Sequence, residues 1–492
     1  MSKPVSQATE KRLAQSTLGC AALASLCLVF SSGGFAQDGS PGTLLDALQA
    51  QQATLAAYQS DLENLESEFG VFDNSLLEPL EGMLTTYLEA GRWQNARDIQ
   101  ARRLQILRTN LGPQNPELAT EIDRLVAIEL RLGNHQSVAD QLASIRSLYN
   151  TATENSTRLL LQAINRQAQW HIAQVRVMSP SEAARSLLDA RDLFAESLAL
   201  AEQQFSEDSL DLVPFLYREA IMQHYLVAAM NSDDMGGAMV RRVAREDGAY
   251  RLDNPRVRGA LGGPFVFSGQ YLDPARTTPV LEKGDLIGEV YLREGLGKIR
   301  DIRELYEQRE DLEAQGMARI YEGDFQLLMG MGTGFKAYRE GMDLLRQAGV
   351  SQQEIDTFFS KPVVIPAPRF FSRLNEAIDA LGLSQPTTDP GIVHIGNFEG
   401  FSEDLPSIEK PGFAGQGWEI ELPAGRVELE FHVGRSGRVY SVDALASEPD
   451  SRRLRRRAVR AFREVKIRPA VIEGKSQLSK DVRATYYHPE LD

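Results

Sequence analysis

The chain is poor in the residues that carry most metal and covalent chemistry. Its 492 residues include two cysteines, Cys20 and Cys27, and six histidines. The histidines (His135, His171, His224, His394, His432 and His488) are scattered, with no HExxH or other ligand spacing. No GxSxG elbow of a serine hydrolase occurs. No stretch approaches the ~20 consecutive apolar residues that a spanning helix needs. Positive charge is also short, with 53 Lys and Arg against 68 Asp and Glu, a net charge of −15. That balance argues against a nucleic-acid binder. Nothing here signals an enzyme, and the expectation is no cofactor and no metal.

What is present begins with an export signal. Lys3, Lys11 and Arg12 precede an apolar run over 18–30, and Gly34-Phe35-Ala36 places small residues where a signal peptidase reads them. The expectation is cleavage after Ala36 and a periplasmic chain; the alternative is an inner-membrane anchor through 18–30. Neither cysteine has a lipoprotein signal around it, and cleavage would remove both. The mature chain would then hold no disulfide, thiolate metal site or cysteine nucleophile.

An internal repeat follows. A shift of 42 residues brings Gly70 onto Gly112, Leu76 onto Leu118, Leu88 onto Leu130, Gly91 onto Gly133 and Gln94 onto Gln136. A fixed period of this size signals stacked helical pairs, none able to bury its apolar face alone. Leu80, Leu84, Tyr87 and Leu88 recur at helical spacing, as do Ile122, Leu125, Val126 and Leu130. Helical repeats are expected over 43–230, with a degraded copy over 182–222, and again over 299–360. Residues 231–298, with "GGPFVFSGQY", read as an irregular Gly/Pro-containing insertion, and 361–417 as a linker with one short helix near 371–381. Such a linker implies a tail that moves relative to the repeats. The glycine cluster at 330–334 fails the phosphate-loop pattern, since Lys336 does not follow the last glycine directly; it reads as a turn between helices.

The last 70 or so residues change character. Residues 452–492 hold twelve Lys or Arg against five Asp or Glu, a local balance of +7. Val427, Leu429, Phe431 and Val433 alternate with Arg426, Glu428, Glu430 and His432, the pattern of a half-buried strand. Gly434-Arg435-Ser436-Gly437 supplies a turn, and a second strand is expected over 438–444. An arginine-dense helix over 451–462 carries the apolar stripe Leu454, Ala458, Ala461 and Phe462. A "KIRPA" segment at 466–470 and a strand from about 477 to 487 complete a β-β-α-β order.

Two resemblances attach to these features. "AGRWQNARDIQARRLQILRTNLGPQNPELA", residues 90–119, resembles tetratricopeptide repeats of the kind found in kinesin light chains, with Asn115 where that family often has histidine. It implies that Gly91 sits at a close crossing of two helices and that Ala96 is a small packing residue. It also implies a concave face on which Tyr87, Arg124 and Glu129 are candidates for partner contact. "VELEFHV", "GRSGRV", "LRRRAVRAFREV", "KIRPA" and "EGK", in that order over about 418–487, resemble the carboxy-terminal domain of the TonB family. In that family the last strand lies at a sheet edge and accepts an extended receptor peptide, which would put Val482, Ala484 and Tyr486 at the contact. Arg453, Arg456, Arg457 and Arg460 are candidates for an anionic partner, since the guanidinium fork pairs carboxylates and phosphates bidentately.

The expected fold class is mostly α, an α-solenoid followed by a small α+β domain at 418–492. The expected function is an exported periplasmic protein–protein interaction scaffold with a docking domain for an outer-membrane or other envelope partner. Partners are expected to be envelope proteins, an outer-membrane receptor among them, with no nucleic acid. The membrane is expected to be reached only through a partner or an uncleaved amino-terminal segment. The alternative is a TonB-type energy transducer or accessory in transport across the outer membrane.

Overall fold

The computed structural model describes residues 41–150, 157–177, 179–231, 237–246, 285–384, 393–399, 424–463, 465–472 and 474–489. The export signal, its cleavage site, both cysteines and "GGPFVFSGQY" lie outside them. Among the described residues no helix is long and apolar enough to cross a membrane.

The chain is mostly helical with a small carboxy-terminal β region. The helices are α1 (Pro41–Phe69), α2 (Leu77–Glu89), α3 (Trp93–Leu111), α4 (Leu118–Arg131), α5 (His135–Asn150), α6 (Thr157–Ala173), α7 (Pro180–Gln204) and α8 (Val213–Asn231). They continue as α9 (Gly237–Glu246), α10 (Asp285–Glu307), α11 (Leu312–Leu328), α12 (Gly334–Gln347), α13 (Gln352–Phe359) and α14 (Leu374–Ala380). From α1 to α8 each helix packs on the one before it. α10 packs on α8, and the sequence-neighbour pattern resumes through α14. Local signals set several starts. Ser179 and Ser351 form capping boxes with Glu182 and Glu354, and the Asp311 side chain accepts from the Ala314 N–H.

The 42-residue register is visible in the helices, since His135 opens α5 42 residues after Trp93 opens α3. Paired glycines share a backbone state: Gly70 and Gly112 have φ of 91° and 89°, Gly91 and Gly133 have 66° and 70°. The expected role of Gly91 at a close helix crossing does not hold, because a Cβ there would meet nothing within 4 Å. Gly91 instead ends α2 in the left-handed region, where Arg92 N–H reaches back to Tyr87 O at 2.9 Å. Ala96 is fully buried against Leu84 and Ile128.

The close crossing lies elsewhere. A Cβ on Gly334 of α12 would stand 2.8 Å from the Gly323 carbonyl oxygen on α11, and one on Gly341 would stand 2.8 Å from the Gly316 carbonyl oxygen. Two glycine pairs, seven residues apart on each antiparallel helix, thus bring the backbones together. The turn read from the 330–334 cluster occupies its first part, with Gly330 at φ 73°. Its last glycine belongs to the packing.

Two expected boundaries move. Residues 285–298, placed in an irregular insertion, form the first part of α10, where Val290, Tyr291, Leu292 and Leu296 are buried in the main core. Residues 237–246 are likewise helical, as α9. Residues 361–384, placed in a linker, are also packed. Val363, Ala367, Phe371, Leu374, Ala377, Ile378 and Leu383 join the same core. Apolar residues at these positions have a body to bury against, which a Pro- and Ser-rich composition hides.

Within that core, His171 on α6 meets the Ser186 hydroxyl on α7 at 3.0 Å, beside Gln174. Burial lowers the His171 imidazole below its ordinary value, against an opposing pull from Asp189, and burial lowers His135 in the same direction. As pH falls, the unfolded chain therefore takes up these protons first. Stability that is full above about pH 6.5 is lost as pH drops from there toward the lower folded-state values. Denaturant midpoints measured between about pH 7.5 and 5.5 should fall more for the wild type than for His171→Gln with His135→Gln.

Gly334→Ala should destabilise the chain by about 1–3 kcal/mol through overpacking, whereas Gly332→Ala, with open space around it, should cost well under 1 kcal/mol. Equal midpoints for the two variants in denaturant unfolding would remove the close crossing from the account.

Candidate functional site

The β region holds β1 (Val363–Val364), β2 (Val393–Glu399), β3 (Ala424–Val433), β4 (Val439–Glu448), β5 (Ile467–Arg468), β6 (Val471–Ile472), β7 (Lys475–Ser476) and β8 (Ser479–Pro489). Helix α15 (Arg452–Phe462) lies between β4 and β5. The main sheet runs β2-β8-β3-β4. Period-2 alternation on β3 aims Val427, Leu429, Phe431 and Val433 at Leu454, Ala458 and Phe462 of α15, and all are buried. The Ser451 hydroxyl caps α15 by accepting from the Leu454 N–H at 3.3 Å.

This module is joined to the helical body. β5 pairs antiparallel with β1, Val363 opposite Arg468 and Val364 opposite Ile467. Val471 of β6 is buried in the body's core, and the β3–β4 turn approaches α11, where a Cβ on Gly437 would meet Leu327. At the centre, Arg468 donates to Asp324 of α11 from Nε at 2.9 Å and Nη2 at 2.6 Å, and both residues are at most 1% exposed. The Tyr338 hydroxyl donates to the same carboxylate at 2.7 Å. The guanidinium carbon lies 4.7 Å from the Phe358 ring centroid and 5.8 Å from those of Tyr338 and Phe359. Burial works to lower the Arg468 pKa, and the Asp324 carboxylate more than reverses it, leaving it raised. The Tyr338 phenol is raised by burial and by the same carboxylate. The movement expected of the tail is replaced by this docked arrangement.

The arginine helix forms one wall of a cleft of about 620 Å³, lined by Arg452, Arg455, Arg456, Val459, Arg460 and Arg463 from α15 and its cap. Val442, Asp443 and Ala444 of β4 form the other. Arg455 is held by Asp450 and the Ser447 hydroxyl. Arg452, Arg456 and Arg463 are exposed and have no ion-pair partner among the described residues. The surface can therefore hold an anion.

The candidates named from sequence separate on the structure. Arg456 and Arg460 line the cleft, while Arg453 and Arg457 lie off it on the same helix. Arg452 and Arg463 were missed, although steps of four, four and three from 452 through 456 and 460 to 463 mark one helical face. Val482, Ala484 and Tyr486 do not form an edge, because β8 is an inner strand. β2 pairs with it in parallel on one side and β3 antiparallel on the other. Their side chains are at most 2% exposed and sit in the module's core. Glu129 is buried, accepting from the Asn134 side chain and from the Ser137 hydroxyl at 3.0 Å, so it ties side chains at the entry to α5 and is withdrawn from any open face. Arg124 is half-buried and paired to Glu81 at 2.8 Å, and Tyr87 is half-buried between two small cores. Among the described residues no cluster of His, Cys, Asp or Glu could hold a metal ion.

Comparison with known proteins yields no match, either to a family model or to a curated protein.

Removing one member of the buried pair should cost more than removing both. Arg468→Met or Asp324→Asn is expected to destabilise by about 3–5 kcal/mol, and Asp324→Leu with Arg468→Met by markedly less. Denaturant unfolding of the three variants measures this, and equal losses would mean that the ion pair does not govern the joint.

Proposed function

We propose that the chain is an exported scaffold of a Gram-negative envelope. A helical body of tetratricopeptide type holds one partner, and a TonB-like module fixed to its end docks a second through its basic face. The observation that carries this reading is the arginine cleft, a concentrated positive surface on an otherwise acidic chain, held in place by the Arg468–Asp324 joint. The 42-residue spacing of α3 and α5, with matching glycine conformations, supports the repeat assignment. The order β3, β4, α15, β8 supports the module assignment. A stacked helical array gives a broad surface for protein contact, and a rigid joint fixes the distance between its two docking sites.

The transducer alternative asks for a retained anchor and an open edge on the closing strand. β2 already pairs along that edge, which favours the scaffold.

Expressed in a Gram-negative host, the chain should fractionate with the periplasm, and mass spectrometry of its mature amino terminus should find Gln37. A chain that keeps Met1 and stays in the cytoplasm would sink the reading. One retained in the inner membrane through 18–30 would return the transducer to first place.

A further inference from the structure

We propose that the cleft between α15 and β4 binds an extended acidic peptide segment, one whose carboxylates recur at alternate positions. This deepens the docking role proposed above and rests on it.

The spacing of charge comes first. At about 1.5 Å per residue, Arg452, Arg456, Arg460 and Arg463 form a row about 16 Å long with steps of about 4.5–6 Å. Alternate side chains of an extended chain are about 6.6–6.8 Å apart, so four carboxylates on one face of a strand span about 20 Å, and the long arginine stems can take up the difference of about 4 Å from that row.

The opposite wall agrees with an extended guest. β4 ends the sheet order, so among the described residues no strand pairs with its outer side at Val442, Asp443 and Ala444. Register shifts flank this stretch: Glu430 faces Asp443 while His432 faces Tyr440, and Leu429 faces Ala444 while Glu428 faces Ala446. Ser441, inside the first, has φ of 51°. These irregularities prevent a long ladder on β4 and leave about three residues for backbone pairing, so side-chain charge must supply most of the recognition. Val442, Ala444 and Val459 give the floor an apolar component that suits a peptide. Asp443 puts one carboxylate on this wall, so the guest's carboxylates must lie toward the arginine row.

The test uses the purified chain and a fluorescein-labelled peptide of about nine residues with glutamate at alternate positions, read by fluorescence anisotropy. Binding should weaken as salt rises from about 0.05 to 0.3 M. Arg456→Glu with Arg463→Glu should weaken it by about tenfold or more, and Arg453→Glu, off the cleft, by less than about twofold. All three side chains are exposed, and circular dichroism confirms that the variants fold. A peptide of the same composition with its glutamates in one block should bind several-fold more weakly. Equal affinity for the two peptides, or no loss in the double variant, overturns the proposal. So does binding to phosphatidylglycerol vesicles that displaces the peptide, since the surface would then be a lipid site. None of these outcomes bears on export or on the processed amino terminus, so failure here is distinct from failure of the scaffold reading.

Discussion

The buried contact between Arg468 and Asp324 is the constraint on which the arrangement of the molecule depends. It joins residues 144 positions apart, one on a two-residue strand of the tail and one inside a helix of the body. Two charges taken out of water are costly unless their geometry is good. Here two guanidinium donors meet the two carboxylate oxygens, a phenol supplies a third bond to the carboxylate, and an aromatic ring faces the cation, while Arg468 Nη1 is buried without a hydrogen-bond partner among the described residues. Neighbouring contacts support this pair. The Tyr338 ring lies so close over Gly323 that a Cβ there would stand 2.5 Å from it, and the Gly323–Gly334 pair lets α12 come near enough to place it. The glycine crossing thus positions the tyrosine, the tyrosine steadies the aspartate, and the aspartate receives the arginine. A small β module with 11 residues of charged helix is held to the body by this chain of contacts.

A docked module has consequences for its surfaces. The sheet could have offered two open edges, and neither is plain. On one side the chain's own β2 pairs with β8; on the other, β4 is broken by shifts at 441 and 445. Unpaired strand edges recruit other strands without discrimination, and both devices reduce that risk. What remains accessible on this side is the face of α15, where specificity can come from charge spacing. On the scaffold reading proposed above, the joint would set the relation of a partner held there to the helical body, and less entropy would be lost when both ends are engaged.

Much of the local architecture was legible in the chain. Alternation on β3 and the spacing of Leu80, Leu84, Ile122, Leu125 and Val126 determine which face of each element is apolar, and those residues are buried. The Ser179, Ser351 and Ser451 caps are signals within four residues of the helices they start. Non-local facts were hidden. Whether a glycine ends a helix or admits a neighbour depends on what approaches it, so Gly91 and Gly334 look alike in sequence and act differently. Arg468 reads as one more basic residue of a basic tail until Asp324, Tyr338 and Phe358 surround it. The closing strand, Val482 to Tyr486, carries the same alternation whether it lies at an edge or inside a sheet, and only the position of β2 decides.

The cleft illustrates how the two kinds of information combine. Composition alone shows a helix crowded with arginine, and a solvated face explains such a helix as well as a binding site does. Three structural facts narrow the choice. α15 spends its apolar stripe on the sheet, so its arginines are displayed on a fixed support. One row of them borders a concavity, while Arg453 and Arg457 of the same helix do not. Arg455 is already paired with Asp450, whereas Arg452, Arg456 and Arg463 have no such counter-charge among the described residues. Exposed like charges placed together repel one another at a cost of tenths of a kcal/mol per pair, with no gain in packing to offset it. A row of them along a groove is therefore better accounted for by an anionic guest than by the needs of the fold.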